Sequence, residues 1–301
     1  MATESECSAY PEYPPELARL TVPDGPYTTV PYGDEPDQFG ELWLRPGAAA
    51  VVLLHGGFWR ARYRLDIMHA LADDLWLAGY TVWNLEYRRV GGSGDGGGDG
   101  GGGWPGTLRD VSSGFDVLVD LAAEYGFDVG RVPVIGHSAG GHLALWLAGR
   151  GRLDAEAWGA PRLLPSLVVG LAAVGDLGLA HGLGLSDGAA FEFIGASPER
   201  EPGRYREASP VSLLPLGCPQ LLVHGTEDDS VPFSMSERYV EAARAAGGPQ
   251  CELIVLPGTG HLELIDPGTA AWRAVRAGID RGLGSWPRSA ARRFGAGQSA
   301  V

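Results

Sequence analysis

Short apolar runs alternate with amphipathic stretches through most of this 301-residue chain, and that alternation limits the fold more than any other feature. Residues 50–54 (Ala-Val-Val-Leu-Leu) form an apolar run that ends at His55-Gly56-Gly57, the pattern of a buried strand entering a tight turn. Similar runs recur at 80–85, 132–135, 167–172, 220–223 and 252–256, and segments 27–32 and 39–44 are strand-like in composition. Within 64–77, Leu65, Met68, Leu71, Ala72, Leu75 and Trp76 recur at helical spacing before Gly79 stops the pattern. Stretches 108–125, 139–147, 234–246 and 269–281 also read as helices. Apolar strands separated by helices predict an α/β fold with a mainly parallel sheet covered on both faces.

No strong linker divides the chain, so one domain is expected over 25–284. Residues 1–24, rich in proline and acid, read as a surface arm, and 285–301 as a disordered tail. The stretch 175–210 breaks the alternation and predicts a small cap or insertion. The glycine-rich run 91–103 contains G-x-G-x-x-G, but Trp104-Pro105-Gly106 separates it from the next helix. A dinucleotide site needs the helix to open directly behind the glycines, so a flexible loop is expected instead.

The net charge of −14 argues against a nucleic-acid partner, which requires a basic surface. All 23 basic residues are arginine, which excludes lysine Schiff-base and P-loop chemistry. Cys7, Cys218 and Cys251 are odd in number and lack C-x-x-C spacing, so neither a disulfide framework nor a thiolate zinc site is expected. There is no H-E-x-x-H, and neither a metal nor a cofactor is expected. The N-terminus has no apolar signal region and no run is long enough to span a membrane, which makes a soluble, cytoplasmic protein the expectation. Oligomeric state leaves no mark in the sequence.

Gly136-His137-Ser138-Ala139-Gly140 fits G-x-S-x-G. With 47 glycines in the chain, chance alone would supply roughly 0.4 such matches. Its context carries more weight: a buried strand precedes it and an apolar helix follows, the strand–turn–helix elbow that exposes a nucleophilic serine. A serine hydroxyl needs a base, and His261 follows the last strand in Pro257-Gly258-Thr259-Gly260-His261. Strand 220–223 leads into His224-Gly225-Thr226-Glu227-Asp228-Asp229, whose three adjacent carboxylates are equally placed, by spacing, to orient that base. After strand 50–54, His55-Gly56-Gly57-Phe58-Trp59 supplies a glycine turn whose Gly57 and Phe58 N–H groups, with that of Ala139, would form an oxyanion hole. His55 is expected to anchor that loop by hydrogen bonding. Trp59, Trp104 and Phe58 are candidates for a substrate pocket, and His137 and His142 would pack against it or trim it. Arg88 and Arg89 are expected in internal salt bridges.

On these residues the chain resembles the α/β-hydrolase superfamily, in the esterase/lipase and prolyl-oligopeptidase-like branch that includes carboxylesterases, feruloyl-esterase-like proteins and arylformamidases. The resemblance spans roughly 40–280. The branch's H-G-x-x-D-x-x-V-P phrase falls on residues 224–232 and implies Asp228 as the acid, giving a Ser138–Asp228–His261 triad. His55-Gly56-Gly57-Phe58-Trp59 is similar to the H-G-G-Y-W phrase of kynurenine formamidases, with Phe58 in place of tyrosine. The resemblance implies hydrolysis of a small to medium carboxylic ester through an acyl-enzyme. Amide hydrolysis of the arylformamidase or peptidase kind uses the same machinery, as does biosynthetic acyl transfer or cyclisation. A non-catalytic ligand-binding protein on the same scaffold is the alternative of another class.

Overall fold

The computed structural model describes residues 13–22, 24–91 and 101–285. The arm's first twelve residues, most of the glycine-rich run (92–100) and all but the first residue of the expected tail (286–301) lie outside them.

Among the described residues eight strands form one sheet: β1 (Thr28–Pro31), β2 (Phe39–Trp43), β3 (Ala50–Leu54), β4 (Thr81–Leu85), β5 (Pro133–His137), β6 (Leu167–Leu171), β7 (Gln220–Gly225) and β8 (Cys251–Leu256). Their order is β1-β2-β4-β3-β5-β6-β7-β8. The pairs β1–β2 and β2–β4 are antiparallel, and every pair from β4 to β8 is parallel. The helices are α1 (Pro15–Ala18), α2 (His69–Leu77), α3 (Gly106–Asp116), α4 (Leu118–Tyr125), α5 (Ala139–Gly149) and α6 (Ala155–Trp158). They continue with α7 (Leu177–Gly182), α8 (Leu185–Ile194), α9 (Pro202–Ala208), α10 (Ser234–Ala245) and α11 (Ala270–Ser285).

The period-two geometry of a strand divides β3 between two cores. Ala50, Val52 and Leu54 face a cluster with Phe115, Leu143 and Tyr239, from α3, α5 and α10. Val51 and Leu53 face a second cluster with Leu71, Leu75, Trp272 and Val275, from α2 and α11. All five β3 residues are buried, which is why this strand reads as a continuous apolar run with no polar face.

Two expected helices are modified. The first turn of the 64–77 helix is a 3-10 turn over Leu65–Met68 that passes into α2. The single helix expected over 108–125 is two, α3 and α4. The Gly114 carbonyl accepts from Trp83 Nε1 at 2.7 Å, which draws it away from the helical ladder where α3 gives way to α4. Residues 13–22 pack inward: Tyr13 donates to Asp66 Oδ1 at 2.8 Å, and Leu17 and Leu20 are buried. Stretch 175–210, between β6 and β7, contains α7, α8 and α9. Among the described residues no helix is long and apolar enough to cross a membrane.

Candidate active site

Ser138 occupies the step between β5 and α5 with φ 56° and ψ −117°, a conformation that non-glycine residues adopt only under constraint. The constraint is close packing. A Cβ on Gly136 would lie 2.1 Å from the Gly140 carbonyl oxygen, and one on Gly140 would lie 2.1 Å from that of Leu54. Both ends of the pentapeptide must therefore be glycine for α5 to close on β5 and β3. Ser138 is 1% exposed, and its Oγ has no hydrogen-bond partner among the described residues. Ser138 and His261 are thus not hydrogen-bonded to each other through Oγ in this structure.

The loop after β3 crosses the elbow. A Cβ on Gly56 would sit 3.0 Å from His137 Nδ1 and 3.1 Å from Ser138 Cβ. Gly57, Phe58 and Trp59 have φ of 110°, 54° and 59°, three consecutive left-handed residues of which two are bulky aromatics. Among the described contacts, the N–H groups of Gly57 and Phe58 donate to nothing within the chain. Ala139 opens α5, where the first N–H groups of a helix have no internal acceptor. His55 anchors this loop: its Nδ1 lies 2.7 Å from the Gly56 carbonyl oxygen and its Nε2 2.9 Å from Glu86 Oε1.

The loops after β7 and β8 bring Asp228 and His261 together. His261 Nδ1 donates to Asp228 Oδ2 at 2.7 Å, while Oδ1 accepts the N–H groups of Ser230 (2.9 Å) and Val231 (2.8 Å). His224 Nε2 stands 3.3 Å from Oδ2. Burial of the carboxyl raises its pKa, but the hydrogen bonds from His224 and His261 outweigh burial and hold it well below the usual carboxylate range. Neither neighbouring carboxylate takes this place: Asp229 pairs with the Ser230 hydroxyl at 3.0 Å, and Glu227 is tied by its backbone to Thr259. The two loops are also stitched to each other, Thr226 N–H to the Leu256 carbonyl (3.0 Å) and Gly258 N–H to Thr226 Oγ1 (2.9 Å).

His137 links this pair to the elbow. Its Nε2 donates to the His261 carbonyl oxygen at 3.1 Å, and the two rings stand 4.4 Å apart. Burial, with His261 alongside, pushes the His137 pKa well below the usual histidine value, so the ring is neutral.

Of the residues expected to line a pocket, His137 and Trp59 are buried and Trp104 is half-buried. His137, 2% exposed, holds the His261 carbonyl. Trp59 is also 2% exposed and belongs to the core. It donates to His142 Nδ1 at 3.2 Å and stacks on Phe193 at 4.8 Å, its backbone left-handed at this point of the loop. Trp104 packs edge-on to Trp158 and beneath the Arg204 guanidinium. Arg88 and Arg89 form the expected internal salt bridges, with Asp110 and with Glu86 and Asp37. The sequence reading gave no role to His224 or Glu86; the signal available for His224 was its place at the head of the H-G-x-x-D phrase.

The sheet order, the strained serine at the elbow and the hydrogen-bonded Asp228–His261 pair beyond successive strand ends define an α/β-hydrolase. The chain matches the BD-FAE family over residues 45–242 and belongs to it; the matched region includes Ser138 and Asp228 and ends before His261. Among curated proteins it is 27% identical over 257 residues to esterase LipC of Mycobacterium tuberculosis, covering 79% of this chain and 60% of that protein. It is 26% identical over 277 residues to a probable isoprenylcysteine alpha-carbonyl methylesterase of Arabidopsis thaliana, covering 84% and 53%. The chain thus spans between half and about three-fifths of the length of these relatives. Two solved structures share the fold. Esterase B of Lactobacillus rhamnosis has a TM-score of 0.72 at 20% identity, covering 90% of this chain and 89% of that one. The Thermogutta terrifontis esterase Est2 has a TM-score of 0.68 at 21% identity, covering 89% and 96%.

Proposed function

We propose that the chain hydrolyses small to medium carboxylic esters through an acyl-enzyme on Ser138. The observation that carries this reading is the hydrogen bond from His261 to the fully buried Asp228 carboxylate, beside an elbow serine. His261 Nε2 takes the Ser138 hydroxyl proton as Oγ bonds to the ester carbonyl carbon. The resulting oxyanion is met by the N–H groups of Gly57, Phe58 and Ala139. Collapse expels the alcohol, which receives the proton from His261. Water then repeats the sequence on the acyl-enzyme and frees Ser138. Asp228 keeps Nδ1 protonated, so that Nε2 presents the lone pair. The esterase names of the relatives support this reading, and the near-closed Ser138 supports a substrate of modest size. Activity in the cytoplasm is part of the same proposal, and the unpaired buried thiols of Cys218 and Cys251 suit a reducing compartment.

Ser138→Ala is expected to abolish both ester turnover and labelling by a fluorophosphonate probe; full activity in that variant would overturn the assignment. A substrate panel of ester chain lengths, N-formyl anilines and aminoacyl anilides should show esters turned over fastest. Faster cleavage of either amide class would replace the ester reading with an amide one. Products other than the free acid would indicate acyl transfer.

A further inference from the structure

Glu86 follows β4 directly, is completely buried, and takes no part in the acyl transfer described above. Its Oε1 accepts from His55 Nε2 (2.9 Å), Arg89 Nη1 (2.5 Å) and the Tyr87 N–H (2.9 Å). Its Oε2 accepts the Leu65 N–H (3.2 Å), with Arg64 Nε at 3.6 Å. Burial raises the Glu86 pKa, but Arg89 and His55 outweigh it and hold the value at about 2, so the group is an anion at neutral pH.

The other face of the His55 ring is equally one-sided. Nδ1 lies 2.7 Å from the Gly56 carbonyl oxygen. The Tyr87 hydroxyl, 3.4 Å away, has given its proton to the His55 carbonyl oxygen at 2.7 Å and so offers Nδ1 only a lone pair. Charged side chains around the pair include Arg64 and Arg89, both on Glu86, and Asp66, which is held by the Tyr13 hydroxyl. Both ring nitrogens therefore face acceptors, and a ring so placed needs a proton on each.

A trans peptide is planar, with its C=O and N–H pointing in opposite directions. Fixing the Gly56 carbonyl on the His55 ring therefore turns the Gly57 N–H away from it. Gly56 and Gly57 have no side chains to hold that plane, and glycine flips readily. We infer that Glu86 is a positioning residue of the oxyanion loop: by keeping His55 doubly protonated, it locks the Gly56–Gly57 peptide and frees the Gly57 N–H for the substrate. The catalytic consequence rests on the proposed ester hydrolysis, whereas the protonation state does not.

Nitrogen NMR of 15N-labelled wild-type protein at neutral pH tests the protonation directly, with His55 assigned by its loss in His55→Asn. Both ring nitrogens should resonate as protonated; an unprotonated one overturns the inference. In Glu86→Gln, kcat should fall about 10- to 100-fold, short of the full loss of an oxyanion donor, with KM changed less than about threefold. A trifluoromethyl ketone, which mimics the tetrahedral intermediate, should lose affinity by the same factor as kcat/KM. An unchanged kcat, or ketone affinity that does not follow it, overturns the inference. The side-chain amide introduced by His55→Asn can donate to the Gly56 carbonyl without a charged partner, so adding Glu86→Gln to that variant should cost less than about twofold more. Full additivity of the two losses counts against it. If Glu86→Gln does not fold, the wild-type nitrogen spectrum decides. A wild-type protein that hydrolyses no ester would remove the proposed function and leave that spectrum as the test.

Discussion

His142 and His137 are sealed in the fold as neutral rings, each held through its Nε2 proton on a backbone carbonyl, Ala208 for one and His261 for the other. Burial lowers the His142 pKa to about 4 and moves His137 in the same direction. In the unfolded chain both would take up protons near pH 6.5. As pH falls below that value the unfolded state binds more protons than the native one, so stability falls, by roughly 1.4 kcal/mol per pH unit for each ring. Lowered carboxylates such as Asp228 give up their contribution only at more acidic pH, as the medium falls through the carboxylate range. Urea unfolding should therefore show stability declining between pH 6.5 and 5. His142→Gln, which keeps a donor and an acceptor in place, should flatten the slope by about half; a wild-type slope of zero would contradict the neutral assignment. At this scale Ser138 and His261 were legible because chain order and strand ends carry the signal. Spacing left three carboxylates open until the resemblance and then the geometry singled out Asp228. Glu86 was not legible, because its partner His55 is 31 residues away along the chain. The left-handed backbone at Trp59 was not legible either, because the residue type gives no hint of it.

The elbow is a fit between elements. Alanine normally favours a helix over glycine by about 1 kcal/mol, yet at Gly140 the added methyl would meet the Leu54 and His55 carbonyl oxygens at 2.1 and 2.4 Å. Gly140→Ala is expected to destabilise the protein by about 1–3 kcal/mol, the typical cost of overpacking, lowering the midpoint of chemical denaturation. A stabilised variant would show that α5 can move off β3. The same close fit explains why the buried strands and α5 were readable from apolar runs. Other elements answer to contacts made elsewhere. The break between α3 and α4 depends on the Trp83 indole. In α8, Ser186, Asp187 and Gly188 are left-handed, while Arg60 holds Ser186 and Glu192 from outside the helix. No local pattern in the sequence announces either.

Across the molecule, the alternation of runs foretold a mainly parallel sheet with helices on both faces, but not the order of its strands. That order sets the proposed machinery out unevenly. The oxyanion loop and Ser138 leave β3 and β5 in the middle of the sheet, Asp228 leaves β7, and His261 leaves β8 at the margin. Among the described residues β8 has a single strand neighbour, and Val255 on it is 44% exposed. Segments with fewer supporting contacts open at lower free energy than the core. Heating should consequently switch off ester hydrolysis, assayed at temperature, before far-ultraviolet circular dichroism registers loss of the fold. Coincident transitions would mean that β8 melts only with the whole. With its proposed proton carrier in the loop beyond an edge strand, the protein would behave as its own thermal fuse, failing at the rim while the half of the sheet that carries Ser138 stays intact and able to recover on cooling.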